Sequence, residues 1–128
     1  MKSCLASLGV ATLTMGWMPA MAQASSWYLA TESQDGEKFF VDRATLKRVG
    51  GLTQAQVFAV YAKPENDGSV AYVGQHEYNC QAKKVRFVQI ITLYDNGATK
   101  PDTAEPVWED VKPETVSEAL MKDLCGTR

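Results

Sequence analysis

The chain has 128 residues, 45% of them hydrophobic and 22% charged, enough for one core and one domain. Thirteen lysines and arginines against fifteen aspartates and glutamates give a formal net charge of −2 at pH 7. That acidic balance, with Lys83-Lys84 and Arg86 as the densest basic cluster, argues against nucleic acid as a partner.

The first residues have the three parts of a cleavable secretory signal in order. Lys2 supplies the positive start, residues 5–18 (LASLGVATLTMGWM) form an uncharged apolar run, and Ala22-Gln23-Ala24 is a small-residue site for a signal peptidase. Cleavage is expected between Ala24 and Ser25, making 1–24 a signal peptide and 25–128 the mature domain. The apolar run is shorter than the roughly 20 residues a spanning helix requires, so no transmembrane span is expected in the mature protein. Only Met1, Lys2 and Ser3 precede Cys4, so a lipidation signal is missing and Cys4 leaves with the signal. Export implies a periplasmic location, with outer-membrane association or release outside the cell as lesser alternatives.

Loss of Cys4 leaves Cys80 and Cys125 in an oxidising compartment, where an even count reads as a disulfide. Neither belongs to a C-x-x-C pair, and two cysteines with one histidine make an incomplete set for structural zinc. No metal or cofactor is expected. A bridge closing a loop of about 45 residues contributes on the order of 4 kcal/mol in the chain-entropy account.

Strand patterns follow in chain order. Trp27-Tyr28-Leu29-Ala30 opens the series, and the turn Gln34-Asp35-Gly36 leads back into Lys38-Phe39-Phe40-Val41 as a hairpin. Residues 42–48 read as a short turn closed by Val49-Gly50-Gly51. Residues 52–63 place Val57, Ala59 and Tyr61 on one side and Phe58 and Val60 on the other, so part of this strand should be covered on both faces. After Pro64 and the turn Glu65-Asn66-Asp67-Gly68, residues 70–80 set Val70, Tyr72, Gly74, His76, Tyr78 and Cys80 on one face and Gln75, Glu77 and Asn79 on the other. Residues 85–94 are apolar on both faces, and Asp95-Asn96-Gly97 turns the chain again. A proline-bearing loop, 100–106, should lead to Val107-Trp108 as a short edge strand. Thr115 with Glu118 forms a capping box before a helical stripe of Val116, Ala119, Leu120 and Leu124, stopped at Gly126. The expected fold is α+β: an antiparallel sheet of about five to six strands with one C-terminal helix packed on it and one disulfide.

These residues resemble the surface-adhesin protein E family of small exported domains of Gram-negative bacteria. The resemblance rests on Trp27-Tyr28, Phe40-Val41-Asp42 with Leu46 and Arg48, Tyr78-x-Cys80, Tyr94 with Gly97, Trp108 with Pro113, and Cys125. It implies an antiparallel sheet with a C-terminal helix, a cell-envelope location and dimerisation through the sheet. The family takes its name from an outer-membrane lipoprotein adhesin that binds host matrix proteins, whereas this chain lacks a lipobox.

Candidate sites are few. His76 is the only histidine and the only side chain whose ordinary pKa lies near neutrality, so it is the candidate ligand-binding or general-base residue. Its strand neighbours Tyr72 and Tyr78 favour instead a hydrogen-bonded, partly buried ring. Asp42, between a strand and a tight turn, is expected to accept backbone amides. Glu105, Glu109 and Asp110 are too loosely spaced for a calcium loop, and the serines lie in no nucleophile motif. The leading expectation is an exported, non-catalytic domain that binds an unknown envelope protein, with a second copy of itself as another candidate partner. Two readings stand beside it: a small-molecule carrier, for example of haem, with a pocket near His76, and a host-matrix adhesin.

Overall fold

Alternation of side chains along a strand decides which residues the fold buries. In the fourth strand, β4 (Leu52–Val60), Thr53, Ala55, Val57 and Ala59 are buried while the residues between them stay partly exposed. A computed structural model describes residues 26–126; the expected signal peptide and its Ala24/Ser25 junction lie outside the described residues.

The elements in chain order are β1 (Trp27–Glu32), β2 (Lys38–Asp42), a 3-10 turn (Arg43–Thr45), β3 (Lys47–Val49), β4, β5 (Ser69–Asn79), β6 (Lys84–Tyr94), β7 (Thr99–Pro101), β8 (Glu109–Asp110) and helix α1 (Val116–Gly126). Every pairing is antiparallel. The sheet runs β1-β2-β4-β5-β6-β7, with β3 paired to β4 and β8 paired to β6.

The sheet has eight strands, not five to six. The additional ones are β3, β7 and β8, rungs of two or three exposed residues. They borrow hydrogen bonds from longer neighbours and are too short to show an alternation of their own. Val107-Trp108, expected as the edge strand, precedes β8 and is not part of it. The Trp108 ring lies instead against the Arg86 guanidinium, 4.6 Å from its centroid. The long strand expected over 52–63 ends at Val60, and the turn expected over 42–48 holds both the 3-10 turn and the start of β3.

One irregularity shapes the middle of the sheet. Val73 pairs with Ile91 and Gln75 with Val88, so Gln89 and Ile90 together oppose Gly74. This is a β-bulge, with Gln89 at φ 55°. A Cβ on Gly74 would collide with Ile90 Cδ1 and crowd the Ile90 backbone; the glycine is what lets Ile90 lie down on the sheet.

Helix α1 buries Leu120, Met121 and Leu124 against Phe39, Val41, Ala55, Val57, Ala59, Tyr78 and Val85 of the sheet. Its start is capped reciprocally: Thr115 Oγ1 accepts the Glu118 N–H at 3.2 Å, and Glu118 Oε1 accepts the Glu114 N–H at 3.1 Å. The far end is tied down three times. Cys125 is bonded to Cys80 with a Cα–Cα separation of 5.9 Å, Arg48 Nη2 donates to the Leu124 carbonyl at 3.1 Å, and the Tyr28 hydroxyl donates to Asp123 at 2.5 Å.

Candidate functional site

The helix covers one face of the sheet, and the buried histidine lies on that side. Ala55 pairs with His76, and His76 with Phe87, so all three share the helix-side face. His76 is 2% exposed. Its Nε2 lies 3.4 Å from the Tyr72 hydroxyl and its Nδ1 3.3 Å from the Tyr78 hydroxyl. Burial pushes its pKa down to about 3 and pushes both tyrosines up, so the triad is neutral at pH 7. As the residue order requires, Glu77 stands on the opposite face.

There Glu77 is 5% exposed and holds a polar cluster. It accepts from Arg86 Nε at 2.6 Å and from the side-chain amides of Gln54 and Gln75 at 2.8 Å each. Arg86 in turn carries the Trp108 ring. Two of the three cations of the basic cluster are therefore engaged within the domain, since Lys84 also pairs with Asp110 at 2.6 Å. Removing one member of a buried pair leaves polar groups without partners. Glu77→Ala is accordingly expected to cost about 2 kcal/mol of stability, less than a fully buried pair because Arg86 can rehydrate. The denaturant midpoint checks this, and an unchanged midpoint would mean that the cluster is only solvated surface.

Beside the polar cluster runs an apolar row. Leu29 pairs with Phe40, Phe40 with Phe58, Phe58 with Val73, Val73 with Ile91, and Ile91 with Pro101. Directly paired residues of a sheet share a face, so these six residues cross the six strands of the main path in one line on the face the helix leaves open. Leu29 is 49% and Ile91 38% exposed. Trp27 joins the row edge-on to Phe58, with centroids 6.3 Å apart.

A cavity of about 410 Å³ lies on the helix side, between the sheet and the segment 102–109, with Tyr72, Phe87 and Ile90 among its lining residues. His76 meets this space only through its neighbours: its ring packs edge-on against Phe87 at 4.5 Å. The small-molecule reading expects a pocket near His76, among it and the neighbouring tyrosines. Here the cavity wall facing the sheet is the segment 102–109, and of those residues Tyr72 lines it.

The other sequence candidates have local partners. Asp42 caps the 3-10 turn, accepting the Ala44 N–H at 3.0 Å and the Ser26 hydroxyl. Ser33 accepts the Glu37 N–H, and Ser69 donates to Asp67. Among the described residues no group of three or more His, Cys, Asp or Glu is placed to hold a metal ion, and no described helix is long and apolar enough to cross a membrane.

A family model for surface-adhesin protein E matches residues 27–126. The chain belongs to the surface-adhesin protein E family. Two solved structures of Haemophilus influenzae protein E, one of crystal form II and one of the selenomethionine form, match with a TM-score of 0.58 at 10% sequence identity. Each alignment covers 80% of this chain and 88% of the other. A third protein E structure gives 0.57 at 10% identity, over 80% and 85% of the two chains. At such identity the likeness speaks for the fold alone. Comparison with curated proteins gives no match. Within the adhesin E family fold, the apolar row and the Glu77 cluster escaped sequence reading because both depend on register across strands. Phe40 and Phe58 were visible as apolar, but nothing local said that they sit side by side.

Proposed function

We propose that the chain is an exported, non-catalytic binding domain of the cell envelope, periplasmic in location, whose partner is an envelope protein met through the helix-free face of the sheet. The observation that carries this is the apolar row from Leu29 to Pro101 with Trp27 beside it, aromatic at its centre and partly exposed along its length. Contiguous exposed apolar surface of this kind marks interaction sites, and aromatic residues dominate the energetics of such sites. Export is supported by the N-terminal signal pattern and is consistent with the disulfide.

The test is a photo-crosslinking side chain in place of Phe58 in the exported protein in cells, with Glu114, on the exposed approach to the helix, as the control position. A discrete protein adduct from position 58 and none from 114 is the expected result. An adduct of twice the chain's mass makes a second copy the partner, which still supports binding through this face. Equal or absent labelling at the two positions sinks the reading. Host-surface adhesion is the second reading, favoured by family membership. It requires the domain outside the cell, so resistance to protease added to intact cells would end it.

A further inference from the structure

The cavity beneath segment 102–109 combines two chemistries. Phe87, Ile90 and Val107 give it apolar walls, and Val107 is 65% exposed. Asp102, Glu105 and Glu109 stand around the same space, and all three are exposed. Among the described residues none of these carboxylates takes part in an ion pair. Asp102 accepts the Ala104 N–H, which leaves its charge uncompensated. Two cations of β6 are occupied elsewhere, Arg86 with Glu77 and Trp108, and Lys84 with Asp110.

Surplus negative charge around an apolar floor selects a ligand that is cationic and apolar together. A lysine or arginine can lay its stem on Phe87 and Ile90 while its charged head stays at the wet rim, and the aromatic face adds a cation–π attraction. The three carboxylates are spread along the segment instead of converging on one point, so they match cations spaced along a backbone better than a single ion. A volume of about 410 Å³ lies within the range of sites that enclose groups of this size.

We propose that this groove is a docking site for a basic, apolar-flanked peptide segment of a protein partner. The proposal rests on the reading of the chain as a protein-binding domain and gives it a second contact surface, on the face opposite the apolar row.

The experiment is a titration of the isotope-labelled mature domain with an amidated peptide of alternating leucine and arginine, read by amide chemical shifts. Shifts are expected to concentrate at Phe87, Ile90 and residues 103–107. Charge neutralisation in Glu105→Gln/Glu109→Gln should weaken binding by about tenfold, and added salt should weaken it in the wild type. The equal charge change Glu32→Gln/Glu114→Gln, away from the groove, should leave affinity unaltered. Dispersed shifts, or equal losses in the two double variants, would show attraction to overall charge and overturn the proposal. Absence of shifts would overturn it too. Hexylammonium binding as tightly as the peptide would make this a small-amine site and overturn the peptide assignment. Crosslinking from Phe58 reads the opposite face, so a failed titration beside a discrete Phe58 adduct rejects the groove alone.

Discussion

Replacing Cys80 and Cys125 together with serine is expected to lower stability by about 4 kcal/mol, the chain-entropy figure for a loop of this length. For a domain of this size, that corresponds to a fall in melting temperature of roughly 15–30 °C. The bond joins the end of β5 to the last turn of α1, so it holds the lid of the core to its floor. Leu120 and Leu124, both almost fully buried, depend on that lid staying closed. Arg48 on the Leu124 carbonyl and Tyr28 on Asp123 remain in the variant, and they set how much helix docking survives. Thermal unfolding followed by circular dichroism, with and without reductant, measures the effect. A fall of less than about 1 kcal/mol would mean that these two hydrogen bonds suffice and that most of the closure entropy is already lost in the unfolded chain.

Acid is the second strong lever, through His76. Its pKa in the fold is about 3, against 6.5 for the exposed side chain, because burial disfavours the charged ring. The unfolded chain therefore binds the extra proton between these two values. The neutral ring's contribution is complete above pH 6.5 and is lost progressively as pH falls toward 3, a loss of about 5 kcal/mol in all. Asp67 and Asp110 are both held below the ordinary carboxylate range, Asp67 by hydrogen bonds from Ser69 and Asp110 by Lys84. Their contributions fade only as pH drops below that range. Urea midpoints between pH 7 and 4.5 thus isolate the histidine, and stability should fall by about 2–3 kcal/mol across that window. In His76→Phe the slope should vanish. A wild-type curve that is flat there would show that the ring protonates in the fold with little penalty, and that water reaches it.

Both levers were partly legible in the sequence. Two-residue alternation placed His76 with Tyr72 and Tyr78, and the signal-peptide argument reduced three cysteines to one pair. The helix announced itself through Thr115, Glu118 and the apolar stripe, although Glu118 reaches back to the Glu114 amide and not to that of Thr115. What sequence could not supply was everything set by register. The bulge opposite Gly74 depends on Ile90 lying across a neighbouring strand. Glu77 finds Arg86 only because β5 and β6 align at that rung. The strands β3, β7 and β8 are too short to carry a pattern, and they exist because a longer strand beside each had a ladder to share.

The two borders of the sheet also bear on how such domains coexist at high concentration. On one side the β1 ladder slips between Leu29 and Thr31. On the other, β7 has three residues and closes with Pro101, which has no N–H to donate. Bulges, prolines and very short strands are the devices that blunt a sheet's edge. Neither border presents a long, straight template of free amides and carbonyls, so open-ended strand addition, the route to fibres, is discouraged from both directions.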